Sequence, residues 1–285
     1  MRNRSVNAAK PLSNEIAAWK EETGLTYLHI PLHETSGSVI ALDHNIAGAA
    51  ESIEMDTAPA SPWGTVGELT VDGSQVISTD GALFAEALAP AAYKGGWMII
   101  SAWVVVTTQN NTSDKYAFSI GAITGGGTRG GLTLGINAAG KLLFSVQGEG
   151  TGAAADQTTL AGGDALGAGT YNLIGAVKLS ADGLTAESIV GYVDGTIVNT
   201  ASDWAFDQTG DGASVIPANL HTAFSVGHGI STVSGQYRPL DGTLLTGISD
   251  ITVIAGAGIT DAQATTMIAA LAHSRREFPR QFLGL

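Results

Sequence analysis

Gly95-Gly96-Trp97-Met98-Ile99-Ile100-Ser101-Ala102-Trp103-Val104-Val105-Val106-Thr107 decides the fold class. At a period of two, Met98, Ile100, Ala102, Val104 and Val106 fall on one face. Trp97, Ile99, Ser101, Trp103 and Val105 fall on the other, so both faces are largely apolar. β-branched and aromatic side chains crowd χ1 in a helix but fit a pleated surface, and the glycine pair in front is a breaker. The stretch therefore reads as a long strand buried on both sides, at the centre of a large sheet.

The rest of the chain agrees. It has 285 residues, 44% hydrophobic and 14% charged, with 38 glycines and no cysteine. That length can bury a core without disulfides, and frequent glycine suits many short connections between strands. The net charge is −13, unevenly spread. Residues 1–20 and 273–285 carry seven Lys and Arg against two acids, whereas the body carries six against twenty-four. An acidic body repels phosphate backbones, which excludes duplex nucleic acid as a partner. Basic ends on such a body fit an acidic neighbour, including another copy of the same chain. No apolar run approaches the ~18 residues of a membrane span, and residues 1–10 lack the apolar core of a signal peptide.

Along the chain, Ser13 caps a short expected helix over 14–22, with Ile16 and Trp19 on one side and Gly24 as terminator. So short a helix is marginal alone, so Ile16 and Trp19 must dock on the sandwich or on another chain. Strands are expected from Tyr27 to Leu32 and from Val39 to Leu42, then a surface loop over 47–67. A hairpin is expected around Asp72-Gly73, and a meander through Tyr116–Ile120, Gly131–Ile136 and Lys141–Val146. Residues 147–170 read as loop. Tyr171–Leu179 and Glu187–Val193 pair around Ala181-Asp182-Gly183, Asp194-Gly195 closes the next turn, and residues 201–221 read as a second loop. Strands then resume at Thr222–Val226 and Leu244–Ile254. Thr260-Asp261-Ala262-Gln263 is a capping box, and Ala264, Met267, Ile268 and Leu271 recur at helical spacing. Their apolar stripe docks a C-terminal helix on the sheet, with Arg275 and Arg276 complementing its dipole.

Five of these segments resemble laminin-G-like jelly rolls in the same order. They are Leu32-His33-Glu34-Thr35-Ser36-Gly37-Ser38 with Asp43, Leu69-Thr70-Val71-Asp72-Gly73-Ser74, Ile99-Ile100-Ser101-Ala102-Trp103-Val104, Gly191-Tyr192-Val193-Asp194-Gly195, and Leu240-Asp241-Gly242 with Ile248–Val253. The resemblance implies an all-β, two-sheet antiparallel jelly-roll sandwich of the concanavalin A-like kind, with a short N-terminal helix and a C-terminal helix. It divides the chain into a basic arm over 1–26, the jelly roll over 27–272 and a basic tail over 273–285. The fold hosts lectins, adhesion modules, glycan-cleaving enzymes and virion proteins, so it fixes no single function.

Candidate chemistry is sparse. Retaining glycosidases need two carboxylates about 5 Å apart. Glu54-Met55-Asp56 starts such a pattern, but Pro59 stands where a third acid belongs. Gly125-Gly126-Gly127-Thr128-Arg129-Gly130 has dinucleotide-type glycines without the strand-to-helix context that binds a pyrophosphate. The six His show no metal-ligand pair at helical spacing. Asp203, Asp207 and Asp211 lie four apart beside Trp204 and Phe206, the oxygens and aromatic faces that a calcium or sugar rim uses. The competing reading has Trp204 packed inward and the acids solvated.

Laminin-G-like modules generally work outside cells, yet residues 1–10 offer no export signal. A virion protein, made in the host cytoplasm and released by lysis, reconciles the two. The expectation is thus a non-enzymatic bacteriophage structural protein, either a capsid decoration or a tail or fibre component. It would be homo-oligomeric, held to other virion proteins through Arg2, Arg4, Ile16 and Trp19, and present its sandwich to proteins or host-surface glycans. No cofactor is expected beyond calcium at the loop acids. The alternatives are a soluble lectin-like module or a divergent glycan-active enzyme.

Overall fold

The computed structural model describes residues 18–19, 24–32, 39–41, 43–44, 52–54, 69–70, 77–78, 93–106, 114–122, 128–151, 157–205, 224–230, 237–239 and 245–273. Among them, strands build two antiparallel sheets. The nine-stranded sheet runs β14 (Thr196–Ala201), β13 (Thr185–Val193), β12 (Gly169–Leu179), β7 (Trp97–Val106), β19 (Leu245–Gly256), β1 (Thr26–Ile30) and β3 (Asp43–His44). In addition, β15 (Trp204–Ala205) pairs with β13 and β5 (Leu69–Thr70) with β19. The six-stranded sheet runs β11 (Gln157–Gly162), β10 (Leu142–Thr151), β9 (Thr128–Ile136), β8 (Lys115–Ala122), β16 (Phe224–Val226) and β6 (Ile77–Ser78). Two small ribbons pair β2 (Val39–Ala41) with β4 (Ser52–Glu54), and β17 (His228–Ile230) with β18 (Tyr237–Pro239). This is the two-sheet antiparallel sandwich that the laminin-G-like resemblance implies, built of strands that the alternating pattern predicts.

The alternation sorts side chains into two apolar layers. Met98, Ile100, Ala102, Val104 and Val106 of β7 meet Phe118, Leu132, Leu134, Phe144 and Leu160 of the six-stranded sheet in the main core. The opposite face of β7 turns Trp97 and Ile99 outward, where they join Ile174, Ala176 and Ile254 under a helix, α1 (Asp261–His273). Ala264, Met267, Ile268, Leu271 and Ala272 of α1 are buried there. Thus β7 is apolar on both faces because the core lies on one and the helix on the other.

The capping box forms as the sequence dictates. Thr260 N–H donates to Gln263 Oε1 at 3.0 Å, and Gln263 N–H donates to Thr260 Oγ1 at 3.3 Å. Thr260→Ala removes one arm of this reciprocal pair and should cost about 1 kcal/mol. Urea unfolding should show a lower midpoint with an unchanged slope, and no shift would mean the cap is idle.

Four expectations are corrected. The described parts of the two strands expected to flank Asp72-Gly73 do not pair with each other: β5 extends the edge of β19 beyond β1 while β6 joins β16 in the other sheet. Runs of two paired residues make too little mutual ladder to hold each other, so each goes to a longer partner. Within 47–67, β4 pairs with β2. Within 147–170, β10 continues to Thr151 and β11 follows, with Leu160 opposite Phe144 and buried in the core. Its small residues belong to a strand edge that meets the other sheet. A Cβ on Gly162 would lie 2.6 Å from Asn199 Cβ, and Asn199 Nδ2 donates to Ala161 O at 3.1 Å. Finally, Trp204 and Ala205, inside the expected 201–221 loop, pair with Ala186 and Thr185 of β13. The Asp194-Gly195 turn matches its reading, with φ of 50° and 77°, the left-handed pair that a two-residue type I′ turn requires.

Candidate functional site

The described surface opens into a cleft of about 390 Å³ on the outer face of the nine-stranded sheet, where α1 lies against β7, β12 and β13. Register builds it. Lys178 of β12 stands opposite Trp97 of β7 on one side and Ser188 of β13 on the other. Strict alternation along β13 sends Tyr192, Val190 and Ser188 outward and Ile189 inward, and would then send Glu187 into the core. The pairing instead skips one residue, from Lys178↔Ser188 to Leu179↔Ala186. Glu187 is the extra residue of this bulge, so it stays exposed on the cleft side while Ala186 is fully buried.

The first turn of α1 completes the site. Asp261 Oδ1 accepts a hydrogen bond from Trp97 Nε1 at 2.9 Å and lies 3.1 Å from Lys178 Nζ. Lys178 Nζ is also 3.5 Å from Glu187 Oε2. The indole N–H and the ammonium hold the Asp261 carboxyl below its ordinary range, and that carboxylate, helped by Glu187, raises Lys178. The ammonium of Lys178 is thus flanked by the carboxylates of Asp261 and Glu187, two acids to one base. Asp261 nevertheless stays 71% exposed, so its remaining lone pairs face solvent. Tyr192 is half-buried, with its phenol pushed up by burial. Ala264 and Ile268 of α1 lie buried beneath the cleft, with the exposed Thr265 beside them. An aromatic ring and fixed acceptors, one at a strand bulge and one on the first turn of α1, can bind an amphipathic ring such as a sugar.

Of the residues singled out from sequence, those that are described do not line this cleft. Trp204 is half-buried on β15 and packs against the main core, and Asp203 is exposed with φ of 55°. Asp207 and Asp211 lie outside the described residues, so of the residues singled out in the acidic loop only Asp203 and Trp204 are described. Trp19 is helical, half-buried and packed against the outer apolar layer of its own chain. Arg2, Arg4 and Ile16 lie outside the described residues. Among the described residues no group of three His, Asp or Glu could hold a metal ion, and no helix is long and apolar enough to cross a membrane. Sequence reasoning missed Lys178 and Glu187, because their meeting depends on a bulge. It used Tyr192, Trp97 and Asp261 only as fold markers.

No protein-family model and no curated protein matches the sequence. Solved structures do resemble the fold. Botulinum neurotoxin type C, whose cell entry depends on interaction with two ganglioside molecules, superposes with a TM-score of 0.52 at 11% identity, over 90% of this chain and 53% of that one. Trypanosoma rangeli sialidase in complex with sialic acid gives 0.48 at 12% identity, over 88% of this chain and 33% of that one. Ruminococcus gnavus IT-sialidase CBM40 bound to α2,6-sialyllactose gives 0.41 at 15% identity, over 62% and 84%. The chain thus spans about a third of the sialidase and about half of the neurotoxin chain. At such identity the likeness is one of architecture, and the chain is a two-sheet antiparallel β-sandwich.

Proposed function

We propose that this chain is a non-enzymatic contact module that binds glycans in the cleft between α1, β12 and β13. The observation that carries this reading is the geometry of Tyr192, Asp261, Lys178 and Glu187, three fixed polar groups beside an aromatic ring on a sheet packed from both sides. The carboxylates of Asp261 and Glu187 are tied to one lysine, which suits them to accept hydrogen bonds from hydroxyls. A panel of immobilised neutral and acidic glycans should show saturable binding, weakened at least tenfold by Tyr192→Ala, with no reducing ends released from the panel. A flat response to every glycan contradicts the reading, and so does sugar release.

For its setting we keep the bacteriophage virion, as a capsid decoration or a tail or fibre component. The support is the segregation of charge, with basic ends on an acidic body, together with the laminin-G-like resemblance. Trp19 is already used by its own sandwich, so assembly contacts fall to Arg2, Arg4 and Ile16. Deleting residues 1–17 should leave the sandwich folded but absent from purified particles by mass spectrometry. Full occupancy of the truncated chain would show that the arm is not the anchor.

A further inference from the structure

We infer that the cleft selects uncharged sugars and discriminates against acidic ones. This rests on the glycan-contact reading above and adds the ligand class. The only cation lining the cleft among the described residues is Lys178, and it is spoken for twice, by Asp261 at 3.1 Å and by Glu187 at 3.5 Å. A sialic acid or sulfate ester brought here meets two carboxylates and one ammonium whose charge they already offset. Binding it would strip Lys178 from its partners or set like charges side by side, and like-charge juxtaposition works against a partner strongly.

An uncharged pyranose meets none of this. Its apolar face can lie on Tyr192, and its hydroxyls donate to acceptors that are already positioned. Asp261 Oδ1 takes the Trp97 and Lys178 donors, while Oδ2 has Lys178 Nζ only at 3.4 Å. Oδ2 therefore keeps room for a ligand hydroxyl, since an ionised carboxylate offers about four lone-pair sites. Glu187, with its side chain 46% exposed, offers a second acceptor across Lys178. Trp97 serves by positioning, because its indole N–H fixes the Asp261 carboxylate from beneath.

Neutralising one of the two carboxylates is the decisive test. Titration calorimetry of the full chain with lactose and with sialyllactose should show lactose bound at least tenfold more tightly. Glu187→Gln removes the charge of one of the two partners of Lys178 and leaves an amide acceptor in its place. It should narrow that ratio at least threefold by improving sialyllactose binding, an improvement that fades as salt is raised. Glu187→Gln is exposed and leaves the fold intact, which far-UV circular dichroism checks. If the wild type binds sialyllactose as tightly as lactose, or if Glu187→Gln leaves the ratio unchanged, the inference fails while the glycan reading stands. If neither sugar binds and a wider neutral and acidic panel is flat, both fail together.

Discussion

Phe144→Ala should lower the stability of the sandwich by about 3–5 kcal/mol, the range for emptying a buried aromatic site. Phe144 is fully buried on β10, and its ring projects onto Gly175 of β12 in the facing sheet. A Cβ at Gly175 would collide with Phe144 Cδ2, Cε2 and Cγ. Glycine there is the notch that accepts the ring, so Gly175→Ala alone should cost about 1–3 kcal/mol through overpacking. In the Phe144→Ala background the added methyl enters vacated space and should cost little, giving a coupling of about 1–3 kcal/mol. Urea unfolding of the four proteins measures this. Strict additivity would mean that the two sheets do not interlock at this pair.

Met267→Ala should cost about 2–5 kcal/mol. Met267 is fully buried between α1 and the sheet, in the layer shared with Ile99, Ala176 and Ile254. A helix of 13 residues is marginal by itself, so its adherence depends on this stripe. Losing Met267 should loosen α1 and red-shift Trp97 emission, since Trp97 is tied to Asp261 at the start of the helix. A large stability loss with Trp97 emission unchanged would show that the first turn of α1 stays docked without the rest.

The fold was legible because its signals are local or periodic. The two apolar faces of Trp97–Val106 announced a layer on each side, and Thr260 with Gln263 marked the helix start within one residue. What was illegible depends on register. Two-residue strands such as Leu69–Thr70 have no periodicity to read, and their partners come from distant sequence. The run through Leu160 looked like loop because its glycines and threonines suggested turns, whereas Gly162 serves the close approach of β14. The candidate site was hidden for the same reason. Lys178, Glu187 and Asp261 are separated by up to 83 residues and meet only after a bulge and a helix docking place them together. The acidic loop around Trp204 drew attention by composition, but composition does not report which way an indole points.

The extra residue at Glu187 has an evolutionary consequence. Because the pairing resumes in phase at Ala186, whatever side chain occupies position 187 is displayed outward without touching the interior. Selection can therefore rewrite the charge of this rim one substitution at a time, while the jelly roll beneath keeps the same inventory of buried side chains.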